Sequence, residues 1–559
     1  MFGVVHYNFN SESNIHSMVE DTNEKKSTVD VSVYNADSSE DLDTNTKSLN
    51  PFADPKEAER WRAIYESSHY ENLKYFDPEF EWTPQEEKRL IRKLDFKVFC
   101  WVFIMFCALD LVRRNVTRAI ADNFLADLGM NNHGYNLGQT IYLLSFLCAE
   151  LPMNILSKRL GPERVIPFEI LAWSIVCICQ AGMKNQATFI GVRSLLGFLQ
   201  GGFIPDMILY LSYFYNGVDL PLRLSIFWIA IPLFQIVGSL MASGILELRG
   251  THGMAGWQYL FIIEGFISFG IAIPSFYLMR TGPSASQNRF TKKRAPWFNE
   301  KETKILVNRI LRDDPSKGDM NNRQSISWKH IFRTLASPDM WPIFIQGITA
   351  FIPFQPVSQY ISLILKGMGY STFMSNVLAI PGQFWFLINL PAVVYLSHKL
   401  KEKSLCAGIA NLFILPFVIA IVAYPVDGNK WVKYVLLTGI VSEPYTHAIL
   451  AAWVSQISNN VGTRAVATAI YNMTYQVGSI IAANIYQQDD KPYYKKGNQA
   501  ILGICCFNIA MAIFTKFYYM LRNKQKAAVW NALSPEEQKI YKETTTDIGF
   551  NRLDFQFVH

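Results

Sequence analysis

Apolar segments of about 20 residues recur along this chain from residue 96 to residue 522. A helix of that length spans the hydrocarbon core of a bilayer. Lipid offers no partner to a backbone N–H or C=O, so an open chain crosses it as helices. The spacing predicts twelve spans, at 96–116, 136–158, 165–183, 187–215, 221–247, 257–280, 338–364, 372–398, 404–425, 431–456, 464–487 and 498–522. Glycine, proline and charge clusters separate them. The expected fold is therefore an all-α membrane protein.

The polar residues collect elsewhere. Residues 1–50 are rich in Ser, Asn, Asp, Glu and Thr, a composition that cannot bury a core and predicts disorder. Up to residue 95, 56-KEAERWRAIYES-67 and 84-PQEEKRLIRKL-94 predict short surface helices. Residues 281–337 form a long hydrophilic connection holding twelve Lys and Arg and a further surface helix at 301–314. Residues 523–559 form a second polar tail, with 534-SPEE-537 as a helix start capped by Ser534. Lys and Arg also favour the connection after the second span (Lys158, Arg159, Arg164) and the one after the eighth (Lys399, Lys401, Lys403). Basic loops stay on the cytoplasmic side, which predicts that both tails and the 281–337 connection are cytoplasmic. All eight cysteines lie in apolar segments without zinc spacing, so they are expected as buried thiols. The net charge of +6 implies no nucleic-acid partner.

An internal repeat divides the twelve spans into two sixes, 96–280 and 338–522. The stretch 156-LSKRLGPERVIP-167 is echoed by 396-LSHKLKEKSLC-406, 240 positions on. The stretch 223-RLSIFWIAIPLFQIVGS-239 is echoed by 464-RAVATAIYNMTYQVGS-479; each starts with Arg and runs to Gln and then Gly-Ser. Two six-helix pseudo-repeats around a central cavity are the expected arrangement.

Ionisable residues inside spans are costly and usually face the bundle interior or water. Asp110, Arg114 and Arg118 are four residues apart, so they share a helix face, with Arg113 beside them. One carboxylate cannot neutralise three guanidiniums, and Arg grips oxyanions through paired hydrogen bonds. Arg113, Arg114, Arg118 and, in the fourth span, Arg193 and Gln200 are therefore candidate substrate-binding residues. The plainer reading of the arginines is snorkelling to an interface. Asp110, Glu150, Asp206 and Glu264 are candidate proton carriers; their plainer reading is interfacial or ion-paired acids. Glu443 and His447, one turn apart around Pro444, suggest a polar contact or a relay. Pro205 permits a kink, and Gly197, Gly201 and Gly202 permit close helix packing. Lys158, Arg159 and Arg164 are candidate gating residues, with topological anchoring as the alternative. Phe351, Phe354, Tyr360, Phe384, Trp385 and Tyr471 are candidate cavity aromatics.

No G-x4-G-K-[ST], nucleophile elbow or H-E-x-x-H occurs, so neither ATP-driven transport nor hydrolysis is expected. An enzyme is not expected, and no cofactor or metal is called for.

The stretches 121-ADNFLADLGM-130, 135-YNLGQTIY-142, 147-LCAELPMNILSKRLGPERVIP-167, 193-RSLLGFLQGGFIPDMILYLSYFY-215 and 256-GWQYLFIIEGF-266 resemble the allantoate permease branch of the anion:cation symporters, within the major facilitator superfamily. The segment 51-PFADPKEAERWRAIYES-67 resembles a sub-branch that transports sulfonates and inorganic sulfur anions. The resemblance implies the major facilitator fold, proton-coupled uptake of a small anion by alternating access, a monomer, and the plasma membrane, with an internal membrane as the alternative. Two positions depart from the family pattern. An Asp-Arg pair expected late in the first span reads Val112-Arg113 here, with Asp110 two residues earlier. A Glu expected in the fourth span is Gln200. If that Glu carries the proton in the family, coupling here uses another acid or is absent, and the extra positive charge suits a more anionic substrate. A non-transporting nutrient sensor on the same scaffold is the rival expectation.

Overall fold

The computed structural model describes residues 50–545, apart from 69, 218, 285–296, 314, 316–331, 333, 426–427, 459–460 and 492, together with residues 552–558. The expected disorder of residues 1–50 falls almost wholly outside them. The described residues are helical, with no strand, and make twelve crossings in two sixes.

The first six are Cys100–Ala119, Asn132–Leu160, Pro162–Cys179, the broken pair Gln186–Gln200 and Phe203–Ser212, Asp219–Ile245, and Gly256–Leu278. The second six are the broken pairs Trp341–Thr349 with Gln355–Gly367 and Thr372–Val377 with Ile380–Leu400, then Ser404–Ala423, the broken pair Lys430–Val441 with His447–Ser458, then Val461–Ala483 and Lys495–Ala532. Eight of these are long and apolar enough on composition alone to cross a bilayer. The other four are instructive. Span 1 carries four charges, spans 7 and 10 are interrupted, and span 11 holds Asn472, Thr474 and Gln476. The polar and broken crossings are the ones a transport path would need, since irregular backbone is tolerated at membrane depth only inside protein or beside water.

The repeat in the sequence has a physical counterpart. Span 2 ends at Leu160 and span 8 at Leu400, and the next residue in each case turns through positive φ: Gly161 at 94° and Lys401 at 52°. Gly238 of span 5 lies against span 1, where an added Cβ would meet the Arg118 guanidinium at 2.3 Å. Its repeat partner, Gly478 of span 11, lies against span 7, where a Cβ would stand 1.9 Å from the Ile348 carbonyl oxygen. Lipid tails are as apolar as leucine, so close backbone packing at small residues holds such helices together. Gly197 and Gly201 serve spans 2 and 4 similarly: a Cβ there would meet the carbonyl oxygens of Tyr142 at 2.2 Å and Phe146 at 2.5 Å.

The end of the bundle where residue 95 enters span 1 is termed the near end. There, helices Pro55–Ser67, Pro84–Leu94 and Glu300–Asp313 pack beneath the first six spans. Val307 and Leu311 of the last join Phe52, Tyr65 and Phe76 in a small core of their own. Asp95 anchors this module to the membrane helices: its carboxylate accepts from Arg223 (3.1 and 2.9 Å) and from the Tyr215 hydroxyl (2.7 Å). Arg309 continues the network to Glu87 and Asp219.

At the far end the two halves are bonded together. Asn132 reaches the Tyr494 hydroxyl (2.8 Å), Asn136 the Tyr486 carbonyl (2.8 Å), and Lys366 the Ala121 carbonyl (2.5 Å). Tyr360 donates to Asn136 and packs among Tyr135, Tyr486 and Tyr494.

Residues 552–558 are part of the fold. The Phe557 ring stacks on Tyr519 of span 12 at 4.9 Å and is 2% exposed. Asn523 brackets its backbone through N–H and C=O (2.7 and 2.9 Å), and Trp453 of span 10 donates to the Val558 carbonyl (2.7 Å). A further helix, Pro535–Thr544, is capped by Ser534.

The cysteine expectation is corrected in part. Cys107, Cys177, Cys406 and Cys505 are buried, whereas Cys100, Cys148, Cys179 and Cys506 stand on outward helix faces. An apolar helix that faces lipid puts thiols outside as readily as leucines.

Candidate functional site: an arginine-lined central cavity

Spans 1, 2, 4, 5, 7, 8 and 11 enclose a cavity of about 140 Å³. Its charged wall comes from the first half: Arg113, Arg114, Arg118 and Arg193. The facing wall is amide and hydroxyl, including Gln355, Ser358, Gln359 and Gln383. Among the described residues that line it there is no carboxylate.

The four arginines have different partners. Arg114 Nε donates to Asp110 Oδ1 at 2.8 Å, one turn back on its own helix. Arg118 Nη1 pairs with Glu264 Oε1 of span 6 at 3.3 Å; both are almost fully buried. The pair leaves Glu264 Oε2 buried without a hydrogen-bond partner. Arg113 lies over the rings of Phe146 (5.1 Å) and Tyr142 (5.8 Å). Arg193, 1% exposed, lies 4.1 Å over the Tyr142 ring and donates Nη2 to Gln139 Oε1 at 2.6 Å. Its Nε and Nη1 have no hydrogen-bond partner. A buried guanidinium held by an amide and a ring face keeps its charge uncompensated, and two of its donors remain for an oxyanion.

Gln200 does not line this cavity. Fully buried, it accepts the Tyr142 hydroxyl at 2.6 Å. It holds the ring that both Arg113 and Arg193 use.

A second cavity, about 60 Å³, adjoins the first through Arg113 and Arg114 and includes Asp110, Glu150, Pro205, Trp228 and His447. Asp110 Oδ2 and Glu150 Oε2 are buried without partners. The structure thus brings Asp110 and Glu150 beside the arginines. Asp206 lines neither cavity and is fully buried in span 4. Span 4 breaks at Gly201–Gly202, before Pro205.

The expected contact of Glu443 with His447 is absent. Span 10 unwinds between them, and His447 Nδ1 meets the Tyr471 hydroxyl at 3.0 Å. Of the candidate aromatics, Phe354 lines the first cavity, Tyr360 belongs to the far-end cluster, and Phe351 and Tyr471 pack on His447. Phe384 and Trp385 are more than half exposed on an outer face. Arg159 is exposed, and Arg164 pairs at 3.6 Å with its chain neighbour Glu163. The Lys158 side chain lies outside the described residues.

The sequence reading missed Gln139, Tyr142 and the glutamines of spans 5, 7 and 8. The signal was present: Gln355 and Gln359, and Ser358 and Ser362, each lie one turn apart on an otherwise apolar helix. The repeat also pairs Ser239 with Ser479, and both line the cavity.

Residues 102–483 match the model of the Major Facilitator Superfamily. The chain belongs to this superfamily. An uncharacterized transporter of Saccharomyces cerevisiae is 61% identical over 524 residues, covering 93% of this chain and 97% of that one. An MFS-type transporter of Penicillium expansum is 24% identical over 497 residues, covering 88% and 95%. Among solved structures, a bacterial homologue of the human peptide transporters PepT1 and PepT2 superposes with a TM-score of 0.54 at 13% identity, covering 77% of this chain and 99% of that one. A bacterial homologue of the lysosomal transporter Spinster, inward-facing and occupied, gives 0.53 at 13% identity, covering 75% and 96%. These two likenesses bear on the fold. A major facilitator protein is a transporter and not an enzyme, and this one is an integral multi-pass membrane protein.

Proposed function

We propose that this major facilitator protein takes up a small anion by proton-coupled alternating access. The observation that supports it most directly is Arg193: a buried guanidinium with two unpartnered donors, beside Arg113 and Arg114, in a cavity whose described lining holds no carboxylate. The anion sits between these arginines and the amide wall of the second half. Asp110 and Glu150, in the adjoining cavity, exchange the coupled proton; Glu150 has the freer carboxyl, since Asp110 already holds Arg114. Arg118 and Glu264 set the electrostatics of the wall rather than touching substrate.

The resemblance to the allantoate permease branch supports an anion, and its sulfonate sub-branch suggests a sulfur oxyanion or sulfonate ahead of a vitamin carboxylate. The basic connections favour a cytoplasmic side for the tails and the 281–337 segment, with the far end external in this reading. The bonded far end is then the closed external side of the cavity. The protein works as a monomer at the plasma membrane in this reading.

The test is uptake of labelled isethionate, sulfite, allantoate, nicotinate and pantothenate into cells lacking their own carriers, at two external pH values, with and without a protonophore. Saturable uptake of one anion, lower at high pH and abolished by the protonophore, supports the reading. Uptake of none, with the protein at the cell surface, defeats it.

A further inference from the structure

Span 10 unwinds over Ser442–Thr446, and Glu443 sits in the break. It is 0% exposed. Neither of its carboxyl oxygens has a hydrogen-bond partner, and the Oγ1 atoms of Thr446 and, one turn earlier, Thr438 are also buried and unpartnered. The backbone around the break is better supplied. Ser442 N–H donates to Thr438 C=O (3.0 Å), and Ser442 C=O accepts from Asn389 Nδ2 of span 8 (2.7 Å). Thr446 C=O accepts from the N–H groups of Ile449 and Leu450. The side-chain oxygens are what the fold leaves open.

No cation among the described residues compensates Glu443. The titratable group facing it from span 12 is the Cys505 thiol. Span 8 offers the Asn389 amide to the adjacent backbone. On its own span, His447 is turned to Tyr471 and enclosed by the rings of Trp228, Phe351, Tyr445 and Tyr475. A carboxylate stripped of water, donors and counter-charge is costly, and a bound proton removes the cost. Interrupted membrane helices are where transporters place ion sites, because the break lets a buried acid change surroundings as the helix moves.

We propose that Glu443 is a proton-binding site of the second half, separate from the arginine cavity and its acids. It is loaded in the conformation described here and discharged when the span 10 break rearranges. The step is simple addition of H⁺ to a carboxyl oxygen and its release. The inference rests on the proton-coupled reading above and adds a second station to it.

The test is solid-supported-membrane electrometry on the purified full-length protein in liposomes, with proton-concentration jumps and no substrate. Wild type displaces charge; Glu443→Gln loses at least half of it, while Glu150→Gln keeps the Glu443 share. Glu443→Asp retains the displacement with a shifted pH midpoint, which separates a lost site from a misfolded protein. A signal unchanged in Glu443→Gln but lost in Glu150→Gln overturns this proposal and leaves the coupled reading intact. No proton-driven signal in wild type overturns both. A transient driven by sodium jumps and not by protons makes the site a sodium site and overturns it.

Discussion

On its way to Glu264 the Arg118 guanidinium passes where a Cβ on residue 238 would stand, 2.3 Å from its central carbon. Span 1, span 5 and span 6 thus meet at one buried ion pair. Removing one partner of such a pair costs about 3–5 kcal/mol, because the other charge is left buried and unmatched. Glu264→Gln and Arg118→Met are each expected to lower the melting temperature of the purified protein markedly. The double variant should lose less than the two single losses added together. Gly238→Ala should cost less than Arg118→Met, since the guanidinium can shift and keep part of the pair. Additive losses in the double variant would refute the pairing.

Arg193→Lys tests whether the cavity uses a guanidinium or only a positive charge. A lysine keeps the charge but lacks the planar fork and the stacking on Tyr142. Arg193→Lys is expected to raise the half-saturating concentration of the transported anion at least tenfold at normal surface level, and Arg193→Met to abolish uptake. Tyr142→Phe should give a smaller loss, through the released hydroxyl of the Gln200 contact. Wild-type uptake by Arg193→Met would remove Arg193 from the site.

The near-end module has a pH dependence of definite sign. Burial pushes the Glu302 carboxyl up, but hydrogen bonds from Lys93 and from the Asn299 backbone outweigh it and hold it below its ordinary value. Glu86, bonded to Lys301 and to Thr83, is lowered as well. A depressed acid stabilises the fold above its unfolded value, and that stabilisation is lost as the pH falls through the folded one. The packing of helix Glu300–Asp313 on helix Pro84–Leu94 should therefore hold at neutral pH and loosen below about pH 4, the range of an unperturbed glutamate. Hydrogen exchange over 84–94 and 300–313 reads it. Lys93→Met should remove the Glu302 share of the pH dependence and leave that of Glu86; protection that is flat to pH 3 in the wild type would contradict the reading.

Gly478→Ala is expected to be among the most damaging small substitutions in the second half. Its Cβ would stand 1.9 Å from a backbone carbonyl, which cannot swing aside as a side chain does. Spans 7 and 11 must separate, taking Gln355 and Ser479 (3.1 Å apart) with them. Loss of both monodisperse protein and uptake is the expected result, whereas Gly244→Ala, with open space around its Cβ, should be silent.

Much of the architecture is legible in the chain because bilayer thickness imposes one length on every crossing. The repeat is legible too, and it anticipated Gly238 with Gly478 and Gly161 with Lys401, positions where backbone geometry leaves little choice. The arginine stripe of span 1 is visible by helical spacing. What spacing cannot give is the partner. Arg118 and Glu264 are 146 residues apart, and only their shared contact shows that one arginine of the stripe is spent on an acid. Helix breaks are similarly hidden. Pro444 marks a region, but whether Glu443 and His447 share a face depends on the backbone unwinding between them. Gln200 reads as a ligand group in the sequence and bonds Tyr142 in the structure, because a glutamine in a membrane helix reads the same whether it faces a cavity or a neighbouring ring.

Phe557 is as deeply buried as the residues of the helices it touches. The stretch around it closes over Trp453 and Tyr519, so its loss would leave two large rings with an empty face. A premature stop upstream of residue 552 would therefore be handled by the cell as a defect of folding, retained and degraded before it reached its membrane, rather than as a transporter that had merely lost a flexible appendage.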